Sequence, residues 1–476
     1  MNTVRRVAKN TIVMLIGDVI GKVLTFIFII YAARYLKAEG YGILAFGLAF
    51  TSMFGIFSDI GFYELIVREV ARDMTLASKY TGNVIVLKAI IVSAMYSIMC
   101  LAINLMGYPQ QVIMVVYILG LSIVLDAFTM IFNATFQAFE KMEYISIGKL
   151  LGNTLRVFGI LFVVFKDLGI IVVAVIYLLG SIVALIYSTI ILIKKFTKPR
   201  IEIDVSFIKW LLKEGVGFWA IGVFAILLNN IDKVMLSTMV GNFAVGIYSA
   251  AHRITLTLVF IPIAFTASIF PITSRLFVSS HQSLKFAFER SFKYLLITGV
   301  TLALLVTILS DELILCIYGY EFKLSSSCLK ILIWTNIFLF INFAFGNLLR
   351  SINKQFVITY IVAITVALNV ILNLALIPRY SFIGASWATL IARFFAFTMY
   401  FAYIMRSEYR MSKECLLDIL KVIFALHIAI GVSYVLKGCN PLITCIATFL
   451  IFLICILLLK IVDEYDIRLI KHFIKG

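Results

Sequence analysis

Charge is what this chain of 476 residues has least of: Asp, Glu, Lys and Arg together make up 14% of it. A soluble globular chain carries about 25%. No stretch is polar enough to form a separate soluble domain. Histidine is scarce at four residues, and the seven cysteines are scattered with no CxxC pair and no Cys/His cluster of metal-ligand spacing. That pattern encodes no metal site and no disulfide framework. Cys316 and Cys328 fall in one expected external segment, but free buried thiols are the expected state. GxxxxGK[ST] is also missing, so no P-loop nucleotide site is present.

What fills the space is apolar. Hydrophobic residues make up 63% of the chain and the mean hydropathy is +1.09, against roughly 45–50% apolar residues in soluble proteins. The chain reads as an all-α polytopic membrane protein. About fourteen apolar segments can be marked as spans, and an even number places both termini on one side. The net charge of +17 suggests nucleic acid as a partner until the cations are located. Most of them lie in alternate loops (68–79, 137–149, 194–213, 275–293, 350–354, 406–413) together with Arg5, Arg6 and Lys9. This is the positive-inside pattern, which assigns that side to the cytoplasm and removes nucleic acid as a partner. The basic start MNTVRRVAKN precedes an apolar run too long for a signal peptide, so an uncleaved first span is expected.

That run, Thr11 to Leu36, holds Asp18 and Lys22 at i,i+4 spacing. Each costs about 2.5–3.5 kcal/mol at the centre of a span. Two readings compete: a local ion pair that eases insertion, or a polar lining that faces a water-filled interior. The second is favoured. Gly17 and Gly21 form a small-xxx-small pair that lets another helix approach on nearly the same side.

The chain also repeats itself. AEGYGIL (38–44) and NFAVGIY (242–248) match at an offset of 204 through Gly42/Gly246, and Lys141/Lys354 match at 213. KDLGIIVVA (166–174) and RYSFIGASWA (379–388) continue at about 214–215. The expectation is two pseudo-symmetric six-helix lobes, 1–193 and 208–405, in parallel orientation. A cytoplasmic linker (194–207) joins them, and 406–476 adds two helices and a tail.

ARYLKAEGYGILAFGLAF (33–50) followed by SDIGFYELIVREVARD (58–73) resembles the opening signature of the polysaccharide-transporter flippases, within the multidrug/oligosaccharidyl-lipid/polysaccharide exporter superfamily. NNIDKVMLSTMVGNFAVGIYSAAHRIT (229–255), GNLLRSINKQ (346–355) and NLALIPRYSFIGASWATLIARF (373–394) agree with it. The resemblance spans roughly 10–405, with Lys37-Ala38 in place of the usual Gly-Pro and Ile60 in place of Leu. It implies a two-lobed transporter in a prokaryotic cell membrane. The cargo is a glycan joined through phosphate or pyrophosphate to an isoprenoid lipid, moved from the inner to the outer leaflet by alternating access. Glycan-assembly enzymes are the implied partners besides the bilayer.

Such cargo needs cations and hydrogen-bond donors in a cavity within oil. Lys22, Lys233 and Arg253 are the candidate cations, Arg being best matched to phosphate by its planar fork. Asn229 and Asn230 add hydrogen-bonding groups. Asp18, Asp232 and Asp59 are candidate charge partners or sites for a coupling H+ or Na+; no bound cofactor is expected. Adjacent Asp232 and Lys233 point about 100° apart on a helix, so one of them faces elsewhere. Lys88, Arg156 and Arg393 read as structural: Arg156 paired with Asp126, and Lys88 snorkelling to the cytoplasmic edge. Phe218, Trp219 and Tyr248 are aromatics able to stack on sugars. Two rivals remain. A cation-coupled multidrug exporter calls for an acidic cavity, and a membrane-embedded glycosyltransferase or polymerase calls for paired acids on large external loops. Neither pattern is present.

Overall fold

The computed structural model describes residues 3–200, 204–436, 438–463 and Asp466; the side chains of 3–15 and of several positions between 205 and 221 lie outside the description. Every regular element among the described residues is a helix. Among the described residues, eleven helices are long and apolar enough to cross a membrane. The chain divides into two compact units, residues 1–246 and 247–476.

The first unit holds α1 (Thr3–Gly55), α2 (Phe62–Arg72), α3 (Ala77–Leu105), α4 (Gln110–Ala138), α5 (Met142–Lys166), α6 (Gly169–Ile191), α7 (Val205–Met239) and the first residues of α8 (Asn242–Thr257). As one rod, the 53 residues of α1 would run to about 80 Å, far beyond a hydrocarbon core of about 30 Å. The chain turns at Lys37, where φ is +57°, so α1 is two spans joined by a tight turn. Gly17 and Gly21 are both buried, and α1 lies against α5 there. A Cβ on Gly17 would meet Ser146, and one on Gly21 would touch the Asn153 amide at 3.5 Å. The small-xxx-small reading of the sequence is realised as this crossing.

The second unit holds the rest of α8, then α9 (Phe260–Ser279), α10 (His281–Ile308), α11 (Ser310–Tyr318), α12 (Ser325–Leu332), α13 (Thr335–Ser351), α14 (Gln355–Met405), α15 (Lys413–Val435) and α16 (Pro441–Leu458). The 51-residue α14 bends back in the same way at Ser381, φ +51°. An aromatic cluster sits within the unit's largely aliphatic core. Phe345 packs against Phe288, Phe292 and Tyr400, with ring centroids 5.6–5.9 Å apart. α16 leaves the bundle into a charged knot: Asp466 accepts from Arg290 at 2.8 Å, from Lys293 at 2.5 Å and from Tyr294. Arg290 also pairs with Asp463 at 2.5 Å. Burial works to raise the Asp463 carboxyl, but the Arg290 hydrogen bond, the Asp466 N–H and the nearby Arg290 and Lys293 charges together hold the group below the usual carboxylate range.

Turn geometry repeats along the chain. Backbone with φ in the left-handed region occurs at Lys37 and Gly241, at Gly107 and Gly319, at Glu140 and Asn353, and at Asp167 and Ser381. The pairs are 204, 212, 213 and 214 residues apart, close to the offsets at which the sequence matches itself. A non-glycine residue at positive φ is uncommon, so this recurrence carries weight. Gly42 and Gly246 show the same relation directly. A Cβ on Gly42 would run into the Asn242 carbonyl, and one on Gly246 into the Ala38 carbonyl. The contact is reciprocal between equivalent residues, as a two-fold relation between the crossing segments requires.

The segment that follows α6 is docked. Arg200 donates its N–H to the Ser78 carbonyl at 3.2 Å, and the Ser78 hydroxyl donates to the Lys198 carbonyl at 2.6 Å. Asp204 caps α7 by accepting from the Phe207 N–H at 3.0 Å, and it pairs with Lys79 at 3.2 Å. Those two contacts, the Phe207 bond first, hold its carboxyl below the ordinary range.

Candidate functional site

The candidate residues fall into three groups. Asp18 accepts from Lys149 Nζ of α5 at 2.9 Å, not from Lys22. Lys22 is exposed on its helix and makes no hydrogen bond or ion pair among the described residues. The local i,i+4 pair is therefore not formed, because Asp18 turns toward α5 on the side that Gly17 and Gly21 bring close.

Asp59 lies where span 2 breaks. α1 gives way to a 3-10 turn, Ile56–Ser58, then Asp59 is extended and Gly61 takes φ +72° before α2 begins. The Asp59 carboxylate accepts from the first N–H groups of α2, Phe62 at 3.1 Å and Tyr63 at 3.3 Å. Lys88 completes it at 3.4 Å and also donates to the Ala127 carbonyl at 3.1 Å. Lys88 is 1% exposed. The expected snorkelling does not occur: an orphaned helix terminus with a carboxylate cap offers the ammonium a better partner inside the unit than water outside it.

On α7 the structure gathers Asn229, Asn230 and Lys233. Lys233 Nζ donates to the Asn229 carbonyl at 3.2 Å and to Asn230 Oδ1 at 3.4 Å. The side-chain amides of Asn229 and Asn230 donate to the carbonyls four residues back. Asp232 is buried while Lys233 is half-buried, the divergence expected of adjacent helix positions. Arg253 belongs to the second unit and is half-buried on α8. Two of the three aromatics are committed to packing. Trp219 Nε1 donates to the Ile56 carbonyl at 2.9 Å, and buried Tyr248 shares a hydrogen bond with Thr389 at 3.1 Å. The Phe218 side chain lies outside the described residues.

A polar cavity of about 230 Å³ sits inside the first unit between α4, α5 and α6, and it includes groups the sequence reading passed over. Asp126, Thr129 and Asn133 line it from α4, Lys149, Asn153 and Arg156 from α5, and Ser188 from α6. The Arg156 guanidinium is held by Asn153 Oδ1 at 3.1 Å, Ser181 Oγ at 2.9 Å and the Tyr177 carbonyl at 3.3 Å, and it lies over the Tyr177 ring at 4.1 Å. Asp126 is near enough to feel the Arg156 charge, yet no guanidinium nitrogen pairs with it. The direct Arg156–Asp126 pair expected from the sequence is replaced by a neutral cradle around the arginine. Lys149, Asn153 and Arg156 recur at i, i+4 and i+7, a helical stripe that periodicity alone could have found. Assigning Lys149 to a loop hid it, since α5 begins two turns earlier, at Met142.

The model of the family described as polysaccharide biosynthesis protein matches residues 7–277. The chain belongs to that family. A second model, MatE, matches 220–375 of the same chain. Among curated relatives, the probable low-salt glycan biosynthesis flippase Agl15 of Haloferax volcanii is 23% identical over 389 residues, 80% of each chain. The uncharacterized membrane protein MJ1068 of Methanocaldococcus jannaschii is 25% identical over 364 residues, 74% of this chain and 72% of that protein. In fold, the chain is similar to the lipid II flippase MurJ in an inward closed conformation: TM-score 0.73, 17% identity, 93% of this chain and 98% of that one. It is also similar to an inward-facing multidrug resistance MATE transporter, with TM-score 0.67, 14% identity, and coverage of 83% and 98%. This member of the polysaccharide biosynthesis protein family is thus a multi-pass membrane protein with a flippase- and exporter-like fold.

Proposed function

We propose that the chain is a flippase that carries an isoprenoid-(pyro)phosphate-linked oligosaccharide from the inner to the outer leaflet by alternating access, for assembly of a surface glycan. In this reading it works in a prokaryotic plasma membrane with both termini cytoplasmic, through two six-helix lobes, 1–193 and 208–405, joined by 194–207. One observation carries the proposal. Lys22 is an exposed ammonium in an apolar span of a polysaccharide-family chain, and the carboxylate one turn away is spent on Lys149. An uncompensated cation at such a place is costly unless it meets water or an anion. Lys233 and Arg253 add positive charge in the later spans, with Asn229 and Asn230 as donors, while Asp18, Asp59 and Asp232 are the groups to test for ion coupling. Moving one charge through 100 mV supplies about 2.3 kcal/mol.

The MatE match over 220–375 favours a second reading, cation-coupled export of a small molecule. The test separates the two. With purified protein in liposomes, delivery of a fluorescent polyprenyl-pyrophosphate glycan to the outer leaflet is followed for wild type and for Lys22→Gln, Lys233→Gln and Arg253→Gln. Loss of delivery with unchanged membrane insertion is expected. Normal delivery in all three overturns the assignment of the cavity cations, and cation-driven efflux of a lipophilic dye without glycan delivery selects the second reading.

A further inference from the structure

The cavity between α4, α5 and α6 is not explained by packing. Charged and amide side chains inside a span are expensive, and where they serve only structure they are expected to close on one another. Here the two charges do not close on one another. Asp126 and Arg156 face the same space without a direct pair, and Ser181 stands between them, accepting from Arg156 at 2.9 Å and bonding to Asp126. Ser188 is 1% exposed, and its hydroxyl has no hydrogen-bond partner among the described residues. Asn133 makes no side-chain hydrogen bond among the described residues. The arginine that could collapse the space is pinned back by Asn153, Ser181 and Tyr177.

The geometry points to a sugar-binding subsite: this cavity takes one neutral monosaccharide unit of the transported glycan. Three features set the ligand class. The first is charge balance: Asp126 against Arg156, and Lys149 against Asp18 at its rim, so neither an anion nor a cation is favoured. The second is the donor set. Asp126 only accepts, Arg156 only donates, and Asn133, Ser188 and Thr129 do both. Hydroxyls that donate and accept in turn match that mixture. The third is size. About 230 Å³ lies below the roughly 300–1,000 Å³ of sites that enclose a drug-sized molecule, so the cavity suits a single ring and not a whole oligosaccharide. In this arrangement a sugar hydroxyl donates to Asp126 while a neighbouring one accepts from Arg156, on the cavity side of the link that Ser181 makes between them. The subsite rests on the flippase reading for its biological ligand, and it gives that reading a place where glycan identity is sensed.

The test uses the full-length protein in nanodiscs and a panel of methyl glycosides of glucose, galactose, mannose, N-acetylglucosamine and glucuronic acid. Saturation-transfer NMR reads binding. At least one neutral glycoside is expected to give a signal that is lost in Asp126→Asn and in Ser188→Leu, which fills the cavity. Phe158→Leu, on an exposed face of α5, is expected to keep it. No signal from any neutral glycoside, a signal only from the glucuronide, or a signal indifferent to both cavity substitutions overturns the subsite and leaves a chamber for water alone. In the delivery assay, Asn133→Ala is expected to change the ratio of rates between two lipid-linked glycans with different terminal sugars. An unchanged ratio together with normal delivery removes the subsite and spares the flippase. Glycoside binding with no delivery of any lipid-linked glycan does the reverse.

Discussion

The two units repeat most of one another's turns around differently stocked interiors. In the first, charge lies within the spans: Lys88 is buried against Asp59 where span 2 breaks, and Asp126, Lys149 and Arg156 surround a cavity. In the second, the cluster around Phe345 is aromatic, and the buried pair Lys293–Asp466 sits where α16 leaves the bundle. Positive-φ residues recur at offsets of 204 to 214, so the backbone plan is repeated while the chemistry on it has diverged. A repeated fold fixes where helices cross and turn, and leaves each half free to specialise in what it buries. The first unit gathers charged groups around a cavity; the second buries neutral amides, Asn336, Asn347, Asn369 and Asn373, besides its aromatic cluster.

The contrast is broken most severely at Lys88. Lys88→Met leaves Asp59 without its cation at a buried site and is expected to cost about 4 kcal/mol. Adding Asp59→Asn should recover most of that loss. Unfolding in mixed micelles followed by circular dichroism measures both, and equal losses for the single and double variants would show that the pair does not hold the break. In the second unit Phe345→Ala should cost about 3 kcal/mol from lost ring packing, with no effect on the salt dependence of stability. A salt-dependent loss there would mean that its core relies on charge as well.

The smallest effect is set by pH at the segment joining α6 to α7. Asp204 has a depressed pKa from the Phe207 N–H and from Lys79. Its contribution is therefore fully present above the unfolded value of about 3.9 and is lost as pH falls through the lower folded value. Melting curves of wild type and Asp204→Asn should differ at pH 6 and converge below about pH 4. A constant gap across that range would remove the carboxylate from the account.

Much of this fold was legible in the sequence. Long apolar runs gave the all-helical membrane character, loop cations the expected orientation, and short matches at offsets of 204 and 213 the expected repeat, near which positive-φ turns recur. Gly17 and Gly21 announced a close crossing. The pairing of charges was not legible. Asp18 had a cation four residues away and chose one 131 residues away, because rotation of α1 against α5, and not spacing along one helix, decides which groups meet. Lys88 looked near enough to an edge to escape, but nothing local revealed that span 2 would break opposite it. Arg156 was matched with the right acid and the wrong contact, since the cradle of Asn153, Ser181 and Tyr177 comes from two helices at once.

The break in span 2 bears on how the chain is made. Asp59 leads Lys88 by 29 residues along the chain, and either charge alone would cost about 2.5–3.5 kcal/mol at mid-membrane. The insertion machinery therefore gains by holding span 2 until span 3 arrives and releasing both as one hairpin, its charges already joined.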